Sequence, residues 1–249
     1  MKKAIIIGAS SGIGRALAGV LAENGFEVGL VARRLELLED LKKEIPGVFY
    51  TKRIDVISPD AGELLKELIG EMGGADLIVV NAGISATNPD FDFAPEFETI
   101  KVNVTGFTAM TNVAVKHFLE KGRGHLVGIS SIAGLRGSAV SPAYSASKAF
   151  VSNYLEGIRQ KLYGTKIFVT DIRPGFVNTP LIKGHDWAFW ITPVEKAARK
   201  IYEAVKSKKK VSYVTRCWWF VAQFMKIAPD FLYDWGYNRV FEKLKFEKK

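Results

Sequence analysis

A chain of 249 residues is long enough to bury one substantial core, and 48% apolar with 24% charged residues excludes a disordered protein. The single cysteine, Cys217, excludes an internal disulfide and fits a reducing, cytoplasmic setting, while His117, His125 and His185 lie too far apart for a metal site. The net charge of +9 comes without a nucleic-acid reading motif, so no nucleic-acid partner is expected; exposed lysines, an anionic cofactor or an anionic membrane surface account for it better.

The chain opens with Lys2-Lys3 and a short apolar run ending at Ile7, too brief for the core of a signal sequence. Strands are predicted over residues 3–7, 27–31, 48–53, 77–80, 125–130 and 166–172. Most are rich in Val and Ile without strict alternation, as in parallel strands buried on both faces. Helical patterns over 12–24, 35–44, 60–72, 97–121 and 144–163 alternate with them. Repeated strand–helix–strand order predicts an α/β doubly wound parallel sheet, a Rossmann fold, as one domain over 1–249. The run Lys206, Lys208, Lys209 and Lys210 reads as a solvated turn before an apolar stretch at 211–214.

The first strand-to-helix turn is Gly8-Ala9-Ser10-Ser11-Gly12-Ile13-Gly14. Its glycines permit a tight turn and close backbone approach, so the helix N-terminus can hold a pyrophosphate. An ordinary loop is the plain alternative, but placement after the first strand of an alternating α/β chain favours a dinucleotide. At the end of the second strand stand Ala32-Arg33-Arg34, with no acid before Glu36. A carboxylate there would favour NAD; two guanidiniums suit the 2′-phosphate of NADP(H), with Arg15 as a third positive charge. The alternative is that both arginines merely begin a surface helix.

Tyr144 and Lys148 lie one helical turn apart, so the ammonium is expected to lower the phenol's pKa and fit it for acid–base work. The spacing alone proves little, because Tyr202 and Lys206 repeat it on a charged helix where both read as surface residues. Context separates the pairs. Ser131 lies thirteen residues before Tyr144 at a strand end, whereas Phe189 holds the corresponding place before Tyr202.

With these residues assembled, the chain resembles the short-chain dehydrogenase/reductase family from the first strand to about Pro180. The resemblance rests on Gly8-x-x-x-Gly12-x-Gly14, Asp55-Val56, Asn81-Ala82-Gly83, Asn103, Ser130-Ser131, Tyr144-x-x-x-Lys148 and Pro174-Gly175-x-Val177-x-Thr179. It implies hydride transfer between NADP(H) and a carbonyl or alcohol. Tyr144 would exchange the proton at the substrate oxygen, Ser131 would polarise that oxygen, and Lys148 would bind the nicotinamide ribose. Asn103 would support a water chain from Lys148, Asp55 would contact the adenine, and Asn81 to Gly83 would line the cofactor cleft. Val177 and Thr179 would hold the carboxamide. Asn81 as a turn cap and Asn103 as a residue satisfied within its helix are the plain alternatives. Ile7 departs from the threonine common at its place in the family. The resemblance also implies a homodimer or homotetramer formed through helices 97–121 and 144–163. A cofactor-binding sensor or scaffold without chemistry is the alternative function; the presence of Ser131, Tyr144 and Lys148 argues against it.

Substrate selection is expected in a lid at 181–191, which carries Trp187, Phe189 and Trp190 and hints at a lipophilic, fatty, steroid-like or retinoid-like compound. Completion of the core explains these aromatics equally well. A C-terminal apolar extension, 217–246, is interrupted by Lys226, Pro229 and Asp230, which argue against a membrane-spanning helix. A subunit interface, a substrate cover, peripheral membrane contact through 217–235 and plain core packing all remain open for it.

Overall fold

The computed structural model describes residues 2–88, 90–182 and 188–241. The apolar runs form β1 (Lys2–Ile7), β2 (Phe26–Ala32), β3 (Phe49–Arg53), β4 (Leu77–Val80), β5 (Gly124–Ile129), β6 (Ile167–Arg173) and β7 (Val211–Tyr213). Among the described residues these make one parallel sheet of seven strands in the order β3-β2-β1-β4-β5-β6-β7. The order runs one way from β1 to β3 and the other way from β4 to β7. That reversal opens a crevice beyond the carboxyl ends of β1 and β4.

Both faces of the sheet are covered, which is why its strands lack alternation. Ile6 and Leu30 pack with α1 (Gly12–Glu23), α2 (Leu35–Glu44) and α7 (Val194–Lys206). Ile5, Ile7 and Ile78 pack on the opposite side with α3 (Ala61–Glu71), α5 (Phe107–Lys121) and α6 (Pro142–Lys161). Each fully buried Ile or Leu contributes roughly 1.5–3 kcal/mol, so these two layers set the fold.

Three elements differ from the sequence expectation. The helix predicted over 97–121 begins earlier, as α4 (Phe93–Ile100), and passes through a π-helical segment, Lys101–Gly106, before α5. Pro95 is tolerated because it lies in the first turn, and the π turn escapes a reading based on 3.6-residue spacing. α6 starts two residues early because Pro142 occupies its first turn, where a missing N–H leaves nothing unpaired. The C-terminal extension is two helices, α8 (Arg216–Ile227) and α9 (Asp230–Phe241), separated at Pro229. Tyr202 is half-buried against the α7 side of the core rather than on the surface. No helix among the described residues is long and apolar enough to cross a membrane.

Candidate active site

The crevice is a cavity of about 1020 Å³ walled by the first turn, the ends of β2 to β5, the segment after β6, and α8–α9. Of the residues expected to bind a cofactor or act in catalysis, all but Gly14 and Asn103 line it. The structure therefore gathers residues from Gly8 to Thr179 at one sheet edge.

The first turn explains its own glycines. Gly8 has φ +95°, and a Cβ there would lie 2.6 Å from the Ala82 nitrogen. Gly14 corrects the sequence expectation: it sits behind the turn, where a Cβ would come within 2.1 Å of the Gly8 oxygen. Its role is close packing of α1 on the turn. Asn81 Nδ2 donates to the Gly8 oxygen at 2.7 Å, so it ties the end of β4 to the turn while also facing the cleft. Arg33 and Arg34 stand exposed at the end of β2, and Arg34 donates to Ser10 Oγ at 3.2 Å. Arg15 does not join them, because Glu44 pairs with it. Asp55 closes a turn after β3 by accepting from the Ile57 nitrogen at 3.3 Å.

At the other end, α6 presents Tyr144 and Lys148 on successive turns beneath the end of β5. Ser131 begins the short 3₁₀ turn Ile132–Leu135, its Oγ accepting from the Ala133 nitrogen at 3.1 Å. Ser131 Oγ also donates to the Pro174 oxygen at 3.5 Å, and it sits close enough to the Tyr144 phenol to favour its ionised form. Lys148 is buried, donates from Nζ to the Ile129 oxygen at 2.9 Å, and lies 5.7 Å from the Tyr144 ring centre.

Burial sets both pKa values. It pushes the Tyr144 phenol above its ordinary value, and Ser131 only partly opposes this. The net direction is thus opposite to the lowering expected from Lys148, because desolvation is the larger influence on the phenol. Lys148 itself is pulled down to about 8 by burial, with the Asp171 carboxylate opposing.

Asn103 lies in the π turn behind the cleft wall, with Oδ1 accepting from the Ile84 nitrogen at 2.8 Å. Its Nδ2 donates to the Ile84 oxygen at 2.8 Å and to Ser147 Oγ at 3.0 Å. These bonds join the segment after β4 to the turn of α6 bearing Lys148. Gly83 permits that approach, since a Cβ there would stand 3.3 Å from both Asn103 Oδ1 and Lys148 Nζ.

Sequence reasoning missed Asp171. This buried carboxylate accepts from Ser130 Oγ and pairs with Arg173 Nε at 2.6 Å, placing negative charge under Lys148. An acid inside an otherwise apolar strand was the available signal.

The tail supplies the remaining wall. Trp218, Val221, Met225, Leu232 and Tyr237 face the cleft, so the inner side of α8–α9 is a cover over it. Trp218 packs on Phe176, Phe189 and Trp190 with ring centres 5.2, 5.4 and 5.9 Å away. Phe189 and residues 181–182 of the expected lid line the cleft, whereas 183–187, with Trp187, lie outside the described residues. So do residues 242–246 of the extension. α9 is latched to the segment after Ser131: Tyr233 Oη donates to the Gly137 oxygen at 2.8 Å, and Tyr237 Oη meets Ser138 Oγ at 3.0 Å. Arg136 adds an ion pair to Asp230 at 2.6 Å and a bond to the Ala228 oxygen at 3.0 Å, with its guanidinium 4.4 Å over the Tyr233 ring.

A family model described as short chain dehydrogenase matches residues 2–186. The chain belongs to the short-chain dehydrogenase family. This short-chain dehydrogenase is 42% identical over 186 residues to an uncharacterized oxidoreductase of Myxococcus xanthus, covering 72% of this chain and 74% of that protein. Among solved structures, a short-chain type dehydrogenase/reductase from Mycobacterium marinum superposes with a TM-score of 0.78 at 26% identity, covering 85% of this chain and 92% of that one. The closed form of serine dehydrogenase complexed with NADP+ gives 0.75 at 28% identity, covering 81% and 88%. In this short-chain dehydrogenase the family match ends before α7, so α8–α9 stand outside it.

Proposed function

We propose that this oxidoreductase interconverts a carbonyl and an alcohol with NADP(H). The observation that carries the reading is the convergence of Ser131, Tyr144 and Lys148 on one wall of the cleft. The opposite end fits a dinucleotide: the Gly8–Gly12 turn lines the cleft at the N-terminus of α1, where backbone N–H groups suit a pyrophosphate, and exposed Arg33 and Arg34 line the same end as two cations for a 2′-phosphate. The NADP+ carried by the related serine dehydrogenase supports the same choice. When bound, NADPH supplies the hydride.

The chain's own residues supply the rest. Asp55 and the Asn81–Gly83 segment border the adenine and ribose side, Val177 and Thr179 the carboxamide side, as the family pattern implies. Tyr144 donates its proton to the substrate oxygen, and burial favours this role by keeping the phenol neutral until an oxyanion develops. Ser131 and Tyr144 together hydrogen-bond that oxygen as negative charge builds. Lys148 and Asn103 hold the geometry beneath. A neutral phenol supports reduction as the working direction.

The apolar wall of Trp218, Val221, Met225 and Leu232 supports a lipophilic substrate. Exposed Phe97, Ile100 and Leu119 support a homo-oligomer built on the α4–α5 helices. The exposed thiol of Cys217, without a disulfide partner, supports a cytoplasmic setting. The test is a panel of ketones and aldehydes followed by NADPH absorbance. Turnover should appear on apolar members, and Tyr144→Phe should lower it by about 10²–10⁴-fold with NADPH binding retained. Full turnover in Tyr144→Phe would overturn the assignment, and cofactor binding without turnover on any member would make the protein a sensor.

A further inference from the structure

The tail has a second side. α8 and α9 turn Trp219, Phe220, Phe224, Ile227, Phe231 and Trp235 outward, each between 45% and 80% exposed. At about 150–250 Å² per such side chain, these exposures leave an apolar face on the order of 700 Å². That exceeds the patch of a few hundred Å² usual on a soluble monomer, so the face calls for an occupant.

Its position narrows the choice. α8 begins just after β7, and Trp190 and Ile191, also exposed, lie in the segment after β6 at the same carboxyl edge of the sheet. Phe224 both lines the cleft and is half-exposed, so the outer face runs continuously into the cleft mouth. A second copy of the chain seated on this face would cap that mouth. A bilayer would instead set the mouth against the phase in which an apolar substrate dissolves.

Charge agrees. Arg216, Lys226 and Arg239 are exposed along the two helices. Of the acids Asp230 and Asp234, the first is taken by Arg136. In sequence the chain continues with Lys243, Lys245, Lys248 and Lys249 against Glu242 and Glu247, and the whole protein carries +9. Aromatic side chains flanked by cations are the composition of a helix lying in the headgroup region of anionic lipid.

We propose that the outer face of α8–α9 docks this protein on an anionic lipid surface, with the mouth of the cleft turned toward the bilayer. This goes beyond the reaction proposed above; only the orientation of the mouth rests on the apolar substrate inferred there.

The experiment is co-sedimentation of the full chain with sucrose-loaded vesicles of phosphatidylcholine alone or mixed with phosphatidylglycerol. The protein should pellet with the mixed vesicles, less with phosphatidylcholine, and less again as salt rises. The double variant Phe220→Ser/Trp235→Ser, in two exposed residues outside the cleft wall, should lower partitioning by at least about tenfold with the melting temperature unchanged. Lys226→Glu, which spares the apolar face, should weaken binding several-fold on the anionic vesicles only. Protein left in the supernatant with both vesicle types would overturn the proposal, as would pelleting that the double variant does not reduce. A dimer in light scattering that the double variant splits would assign the face to a second copy instead. No readout requires turnover, so the docking surface and the carbonyl chemistry stand or fall separately.

Discussion

Gly175 is where the segment after β6 and the tail meet. A methyl group added there would lie 2.2 Å from both Cε2 and Nε1 of Trp218, far inside van der Waals contact. The indole has little room to move, since it is 2% exposed and wedged among Phe176, Phe189 and Trp190. Gly175 is not among the glycines with positive φ, so Gly175→Ala acts through steric overlap rather than backbone strain. Overpacking of this kind costs about 1–3 kcal/mol. At roughly 2–4 °C per kcal/mol for a chain of this size, the melting temperature should fall by about 2–12 °C. Because the relief lies in pushing α8 outward, KM for an apolar ketone should rise as well. Calorimetry on Gly175→Ala, Trp218→Leu and the double variant closes a thermodynamic cycle. The two substitutions should couple favourably by about 1–3 kcal/mol, since the smaller side chain makes room for the methyl. An unchanged melting temperature in Gly175→Ala, or the same loss in the Trp218→Leu background, would refute the packing argument.

Replacing Arg33 and Arg34 together by alanine should raise KM for NADPH by about 10–100-fold while leaving KM for NADH nearly unchanged; equal changes for both cofactors would remove the 2′-phosphate role. Lys148 titrates near 8 in the fold against 10.5 ordinarily, so between these values the unfolded chain binds more protons and stability rises with pH. Lys148→Met should flatten that rise in a denaturation series and abolish turnover without lowering the melting temperature at neutral pH. His125, buried against Thr170 with Lys208 nearby, titrates near 4 instead of 6.5. The fold should therefore lose up to about 3 kcal/mol as pH drops through that interval, and His125→Gln should lessen the loss. An acid-denaturation curve identical to that of the unsubstituted protein would exclude His125 as its source.

Most of the architecture was legible in the residues because the sheet is covered on both sides: runs such as Ile5–Ile7 and Leu77–Val80 have no polar face to hide them. The site was legible because its groups sit at chemically dictated places, with glycines at the first turn, Ser131 at a strand end and Tyr144 one helical turn before Lys148. Other features depended on contacts that leave no mark on local spacing. The π turn adds a residue to one helical turn, and Asn103 within it bonds to Ile84 and Ser147. The direction of the Tyr144 shift followed from burial, which a pair of residues four apart does not reveal. The two sides of the tail were decided last. Tyr237 reaches Ser138 across 99 residues of chain, and Arg136 reaches Asp230 across 94. The apolar character of α8 and α9 belongs to the sequence; which half of it covers the cleft and which half faces outward is set by those long-range bonds, because a helix apolar on most sides can be oriented only by what it packs against.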